Sequence, residues 1–294
     1  MNQYNNKDQN MDQYKEKNQN MDRDQKYNNL IQNIKSYGKI AVAFSGGVDS
    51  CMLLVASMEA LGAENVIAVT ADSIVFPKRE FQEAKELCEN LKVRQITFDI
   101  NQLDIVGFSG NPENRCYICK KKLMGKIFEI VRNNNIETLA EGSNADDISD
   151  YRPGMQAVRE LKIVSPLMEA GLTKQEIREI LKSKGIKIWN KQSFACLATR
   201  FVYGEKLDEK RLDMVDRAEQ TLIDLGFHQL RVRVHGEGDH PMARIELTEG
   251  EIAEALEPHN REIIIKSLEK IGFSYVTLDL KGYKTGSMNQ TIHI

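Results

Sequence analysis

The segment Ser45-Gly46-Gly47-Val48-Asp49-Ser50 lies between an apolar run, Lys39 to Phe44, and a second apolar pattern with helical spacing, Cys51 to Leu61. A strand that turns through two glycines into a helix gathers backbone N–H groups and the positive end of the helix dipole at one point. Gly46 and Gly47 permit positive φ and leave no Cβ between those amides and a ligand, while Ser45 and Ser50 add hydroxyls. The ligand this pattern predicts is a nucleotide phosphate. The P-loop of NTPases also requires a lysine and a Ser/Thr after its glycines, with the lysine on the outer phosphates. This segment has neither that spacing nor the lysine, so transfer of a γ-phosphoryl group is not the chemistry it suggests.

Ser-Gly-Gly-x-Asp-Ser resembles the PP-loop of the ATP pyrophosphatases, which attach AMP to a carboxylate or carbonyl oxygen and release pyrophosphate. Around it, strand patterns at 39–44, 65–71, 93–98 and 137–141 alternate with helical patterns at 50–61, 78–91 and 117–133. That alternation predicts an α/β fold: a parallel, doubly wound sheet with helices on both faces. Ligands of such sheets sit at the carboxyl ends of the strands, where the PP-loop, Asp72-Ser73, Asp99 onward, and Glu141 to Asn144 all fall. Near residue 190 the pattern changes to a loop with Trp189 and Cys196 and then to a smaller α+β domain. It has a helix near 208–225, strands near 229–235 and 243–247, a helix, and a last strand near 275–280. The expected domains are therefore a polar tail at 1–26, a PP-loop domain at 27–189 and a C-terminal domain at 190–294. The tail is almost entirely Asn, Gln, Asp, Lys, Tyr and Met, and is expected to be disordered or to order only by packing on something else.

A chain of 294 residues, 41% hydrophobic and 28% charged, can build a substantial core. Its net charge of -3 provides no global attraction for nucleic acid or anionic membrane, and neither is an expected partner. No apolar run is long enough to span a bilayer and the N-terminus lacks the apolar stretch of a signal peptide, so the expected location is the cytoplasm. Five cysteines in such a chain argue against a disulfide framework and for metal, redox or nucleophilic roles.

Adenylation requires Mg²⁺ held across the phosphates by oxygen ligands, and the candidates are Asp49 with Glu141, Asp146 or Asp147. Ser143 and Asn144 can serve the same site or cap the following helix. Cys116 and Cys119 form a Cys-x-x-Cys at a helix entrance with Arg115 and Lys120 to Lys122 around it, which favours thiolate. A structural zinc would require a second pair, and the sequence has none. Cys196, in Ser193-Phe194-Ala195-Cys196-Leu197-Ala198-Thr199-Arg200, supplies a third thiol; three thiolates that leave one iron open suit a [4Fe-4S] cluster. Cys51 and Cys88 fall on apolar helix faces and read as core. Arg231 and Arg233 alternate with Val232 and Val234, so both guanidinia share a strand face and can clasp a phosphate or lie on a solvated surface. Lys281 to Ser287 forms another glycine-bearing basic turn, and Trp189 reads as packing.

The PP-loop, Cys116-Tyr117-x-Cys119-Lys120, Asp150 to Met155, Ser165-Pro166-Leu167, Ser193 to Arg200, Ala243 to Glu246, and Asp279 to Asn289 with its Gly-Tyr-x-Thr-Gly-Ser-Met-Asn run together resemble the LarE family of sulfur transferases. The resemblance runs from about residue 27 onward. It implies an adenine nucleotide alpha hydrolase-like PP-loop domain whose substrates are ATP with Mg²⁺ and a pyridinium biscarboxylic acid mononucleotide, a carboxylate of which becomes a thiocarboxylate for the nickel-pincer nucleotide cofactor. Carried over to this chain, it implies nucleotide and substrate binding by Ser45, Gly46, Gly47, Asp49, Ser50, Thr70, Ser143, Thr199, Arg200, Arg231 and Arg233. One branch of the family sacrifices the sulfur of a lone cysteine equivalent to Cys196 and is left with dehydroalanine. Another carries three cysteines and a [4Fe-4S] cluster, and Cys116, Cys119 and Cys196 match it. Sulfide or a sulfur donor and further copies of the chain are the remaining expected partners. A PP-loop tRNA thiolase is the nearest rival, disfavoured by the acidic balance.

Overall fold

The computed structural model describes residues 21–148, 153–192, 195–236, 238 and 240–284. The polar stretch to residue 20, Asp150 to Arg152, Ser193, Phe194, and Thr285 to Asn289 fall outside the described residues. The chain forms two compact units: one from Met1–Asp72, Arg79–Asp99 and Cys119–Ser193, the other from Ser73–Lys78, Ile100–Ile118 and Phe194–Ile294. Two segments that precede residue 190, the excursions Ser73–Lys78 and Ile100–Ile118, belong to the second unit.

The first unit opens with α1 (Arg23–Lys35), whose N-cap Asp22 accepts from Gln25 N while the Gln25 side chain accepts from Asp22 N. That capping box and the buried face Leu30, Ile31 and Ile34 order residues 22–26, so this end of the polar tract is helical and packed. There follow β1 (Ile40–Ala43), α2 (Val48–Leu61), β2 (Val66–Ser73), α3 (Lys78–Leu91), β3 (Arg94–Ile100), α4 (Arg115–Asn133) and β4 (Thr138–Ala140). The sheet order is β3-β2-β1-β4, with β1 parallel to both β2 and β4. Alternation along β1 explains the two layers: Ile40 and Val42 join one core with Leu30, Met52, Leu54 and Ala84, while Ala41 joins another with Val69, Met124, Ile127 and Leu139. The helices thus cover both faces, as the alternating sequence pattern predicts. Beyond β4 come α5 (Pro153–Glu160), α6 (Pro166–Glu169) and α7 (Lys174–Ser183), and Trp189 packs against the first core.

The second unit contains α8 (Glu209–Asp224), β5 (Arg231–His235), β6 (Met242–Glu246), α9 (Glu249–Leu256), α10 (Pro258–Ile271) and β7 (Tyr275–Leu278). Its sheet runs β5-β6-β7, antiparallel across the first pair and parallel across the second. Two helices stand where one was expected between β6 and β7. Pro258 cannot donate to a preceding turn and starts α10 at its first position, with Glu257 extended between the two. The excursions are tied in by backbone bonds: Leu197 N donates to Val75 O at 2.8 Å, Gly204 N to Asn111 O at 3.0 Å and Leu207 N to Ser109 O at 2.7 Å. No helix among the described residues is long and apolar enough to cross a membrane.

Candidate functional site

The β1–α2 turn is built as its sequence requires. Gly46 sits at φ +70, and a Cβ there would lie 2.9 Å from Ala84 Cβ, so only glycine fits both the backbone and the space. Gly47 caps α2 without a side-chain bond, which leaves the first N–H groups of the helix for a ligand. Ser45 Oγ and Ser50 Oγ lie 3.1 Å apart, and Ser50 Oγ donates to Gly47 O at 3.1 Å. Thr70 is buried in β2, where its Oγ1 accepts from Gln95 Nε2 at 2.9 Å.

The chain after β4 closes over the start of α2. Gly142 approaches so near that a Cβ would stand 2.9 Å from Ser50 N. Glu141, a candidate metal ligand by sequence, is buried and bracketed by four donors. Ser143 N and Ser165 Oγ reach Oε1 at 3.1 and 2.6 Å; Ser143 Oγ and Lys120 Nζ reach Oε2 at 2.9 and 3.1 Å. Burial alone would raise its carboxyl, but the Lys120 charge with the Ser165 and Ser143 hydroxyls outweighs that and holds it below the ordinary range. With its lone pairs taken, Glu141 fits a bracket of the loop better than an ion ligand. Asn144 caps the short turn Ala145–Ile148: its Oδ1 accepts from Asp146 N and its N donates to Asp147 Oδ2. It also reaches Asp49 Oδ1 through Nδ2 at 3.3 Å, so the capping and site readings of this segment coincide in one residue.

Two lysines absent from the sequence reading meet the loop. Lys174, the first residue of α7, donates its ammonium to Asp49 Oδ2 and its backbone N–H to Asp146 Oδ2. Lys191 places its ammonium on Gly46 O at 3.1 Å, Glu80 Oε2 at 2.7 Å and Glu83 Oε2 at 2.6 Å. The signal for Lys174 was the capping box of Thr173 and Glu176, which announces a helix starting at residue 174. Mg²⁺ is ordinarily held by one or two carboxylates together with phosphate oxygens and water, and Asp49 and Asp146, both on Lys174, are a donor set of that kind.

In the second unit, Cys196 is part of a loop clamped by Arg200. The Arg200 Nη1 donates to Ala195 O, Cys196 O and Thr199 Oγ1, and Thr199 Oγ1 donates to Cys196 O at 2.7 Å. Arg200 is fully buried and has its remaining donors on Glu219, so it braces the loop. Burial pushes the Cys196 thiol up to about 11, although Ala198 N–H and the Arg115 and Arg200 charges pull the other way. Cys116 is exposed and Cys119 half-buried, one turn apart on α4. Among the described residues no three His, Cys, Asp or Glu side chains stand together as a group that could hold a metal ion. Cys51 and Cys88 are buried, as expected of core cysteines, and burial pushes each thiol up to about 12.

Arg231 and Arg233 do not lie on a solvated face; both are buried. Arg233 donates to Thr199 O and to Glu246 Oε2, each at 2.8 Å. Arg231 donates to Leu230 O at 2.6 Å and has its guanidinium 5.1 Å from the Tyr283 ring centroid. Burial and the Arg200 charge lower Arg231 to about 10. A bound anion would stabilise the protonated form of Arg231 in this setting.

Comparison with known proteins agrees with this arrangement. The NAD synthase family profile matches residues 22–127. The chain is 35% identical over 263 residues to the pyridinium-3,5-bisthiocarboxylic acid mononucleotide synthase of Lactiplantibacillus plantarum, covering 90% of this chain and 93% of that one. An uncharacterised protein of Synechocystis is 34% identical over 264 residues, 90% of this chain and 97% of its own length. A second uncharacterised protein, from Methanocaldococcus jannaschii, is 27% identical over 258 residues, 87% of this chain and 95% of its own.

Proposed function

The chain belongs to the LarE family of ATP-using PP-loop enzymes, that of the pyridinium-3,5-bisthiocarboxylic acid mononucleotide synthase, and from that membership we propose that it adenylates a carboxylate of a pyridinium-3,5-biscarboxylic acid mononucleotide and replaces AMP with sulfur. The uncapped start of α2, with Asp49 and Asp146 beside it, supports binding of ATP and Mg²⁺. The observation that carries the substrate assignment is the bond from Arg233 to Thr199 O, which joins the paired arginines of β5 to the loop of Cys196. A mononucleotide phosphate held by Arg231 and Arg233 brings the rest of that substrate to the thiol.

Sulfur is delivered through Cys196. In the finer form of the proposal, Cys116, Cys119 and Cys196 hold a [4Fe-4S] cluster. Its supports are the number of thiols, the one-turn spacing of the first two, and the field of Cys116 acting at Cys196. A second form is favoured by the lack of three converging ligands among the described residues. In it the Cys196 sulfur attacks the acyl adenylate and AMP leaves; loss of the Cys196 Cα proton with cleavage of its Cβ–S bond then yields the thiocarboxylate and dehydroalanine. Anaerobic purification with iron and sulfide analysis, followed by mass spectrometry after one turnover, separates the two. Iron with an unchanged residue 196 supports the cluster. Iron-free protein that loses the elements of hydrogen sulfide at residue 196 supports sacrifice. Formation of ADP and phosphate, with no AMP, would sink the adenylation itself.

A further inference from the structure

Building on the function proposed above, we infer that His235 is a third anchor of the mononucleotide's phosphate, beside Arg231 and Arg233, and that it makes the site select a terminal phosphomonoester. Side chains of a strand alternate between faces, so Arg231, Arg233 and His235 of β5 share one side of the small sheet, while Val232 and Val234 are buried on the other. The register sets Glu246 opposite Arg231, Arg244 opposite Arg233 and Met242 opposite His235. That face is a row of cations with one carboxylate. Toward its Arg231 end it carries the Cys196 loop, where Arg233 meets Thr199 O. Burial falls along β5 in the other direction: both arginines are buried, His235 is half-buried, and the Arg244 side chain is 28% exposed.

Structural duty does not account for this histidine. Its Nε2 is buried and meets no hydrogen-bond partner among the described residues, a state that costs stability and that buried polar groups ordinarily avoid. The carboxylates near it are committed elsewhere. Glu246 bonds Arg233 through Oε2 at 2.8 Å and pairs with Arg244 through Oε1 at 3.4 Å. Asp279 accepts from Arg244 on Oδ2 at 3.0 Å and from Lys281 N on Oδ1 at 2.8 Å. Arg211 of α8 is held by Asp208 and Gly236 O, and Arg200 of the Cys196 loop lies on Glu219. Burial and the Arg244 and Arg233 charges hold the ring below its ordinary value of 6.5, against the smaller pull of Glu246 and Asp279, so it is neutral at pH 7. What the ring lacks is an anion.

A phosphomonoester supplies one. Neighbours on one face of an antiparallel strand stand about 6.8 Å apart, a gap that a phosphoryl group fills with a hydrogen bond of about 2.8 Å on either side. A terminal phosphate offers three free oxygens and nearly two negative charges at neutral pH, enough for two guanidinia and an imidazolium. A phosphodiester has one charge and one free oxygen fewer. Binding of the monoester therefore raises the histidine pKa and draws a proton from solvent onto the ring, which leaves Nε2 a donor to the phosphate. Proton uptake falls between the depressed pKa of the free protein and the raised pKa of the complex, and the added affinity is lost as pH climbs through the latter.

The test is calorimetric titration of the full chain at pH 7 with pyridinium-3,5-biscarboxylic acid mononucleotide and with its methyl phosphodiester, each in two buffers of different ionisation enthalpy. The unaltered protein should take up about half a proton or more with the mononucleotide and bind the diester about tenfold or more weakly. His235→Gln keeps a donor but cannot be protonated; it should abolish the uptake and narrow the gap between the two ligands by about threefold or more, with Kd for ATP unchanged. His235→Leu should weaken mononucleotide binding by about 10- to 100-fold. Equal uptake and an equal ratio of the two affinities in the parent and His235→Gln overturn the inference. A second measurement does not depend on how a variant folds: the His235 Hε1 resonance of the unaltered protein should titrate at higher pH with saturating mononucleotide than without it, and an unmoved titration also overturns the inference. If the unaltered protein does not bind the mononucleotide at all, the proposed function fails; if it binds through Arg231 and Arg233 with His235 dispensable, only the present inference fails.

Discussion

Arg200 donates from Nε and Nη2 to the two carboxylate oxygens of Glu219, at 2.8 and 3.0 Å, and neither side chain reaches solvent. Glu219 Oε1 also accepts from Val232 N at 3.1 Å, so this pair couples α8 and β5 to the loop that carries Cys196. Burial alone would raise Glu219, but the Arg200 and Arg231 charges and the Arg200 and Val232 bonds hold it below the ordinary carboxylate range.

Glu219→Gln should leave a buried guanidinium uncompensated and cost about 3–5 kcal/mol of stability, read by urea unfolding. Arg200→Met combined with Glu219→Gln should cost less than the sum of the two single changes, because neither charge is then orphaned. Additive losses would mean that the pair is not a unit.

Arg231→Ala and Arg233→Ala should each raise KM for the mononucleotide tenfold or more, the cost of about one charge-assisted hydrogen bond at roughly 1.5–3 kcal/mol, and leave KM for ATP near its original value. Equal effects on the two substrates would remove these residues from phosphate binding.

Glu141 carries a pH signature. Its pKa in the folded state is depressed below the ordinary value of 4.5, so its contribution to stability is complete above about pH 4.5 and is lost as pH falls through the lower, folded value. Glu141→Gln should therefore destabilise the protein by about 2 kcal/mol at pH 7, because its partner Lys120 can still be hydrated, and the gap from the parent should close in acid. Unfolding at a series of pH values measures that gap.

Cys196 should behave as a thiol at neutral pH. With its pKa pushed up to about 11, its alkylation by iodoacetamide in native protein should rise about tenfold per unit until that region, while exposed Cys116 is labelled first and buried Cys51 and Cys88 stay unlabelled. Peptide mass mapping at several pH values reads all four; rapid labelling of Cys196 at pH 7 would contradict the assignment.

The nucleotide loop was legible because everything it needs is local: strand, two glycines, hydroxyls and helix fall within one continuous stretch. Alternation likewise placed Arg231 and Arg233 on one strand face, but not their burial, since a guanidinium normally seeks water unless distant partners such as Thr199 O and Glu246 await it. Lys174 escaped for the same reason. Its meeting with Asp49 spans 125 residues, and no spacing rule carries a contact that topology alone creates. The extent of the glycine requirement at Gly142 was also hidden, because it depends on the α2 backbone lying against it. Break points were partly readable: Pro258 marks one that a single continuous helix between β6 and β7 ignored.

The interleaved order of the two units has a consequence for biosynthesis. On the ribosome, Val75, Ser109 and Asn111 emerge long before Leu197, Leu207 and Gly204, the residues whose amides their carbonyls accept. Vectorial synthesis ordinarily lets an N-terminal domain finish first. Here the second unit's early segments, Ser73–Lys78 and Ile100–Ile118, are made before Cys119–Ser193 of the first unit. A fragment starting at residue 190 would lack the Val75, Ser109 and Asn111 carbonyls altogether, so the C-terminal portion is not a transplantable module, and its nascent chain reaches its native hydrogen bonds only after most of the polypeptide has been made.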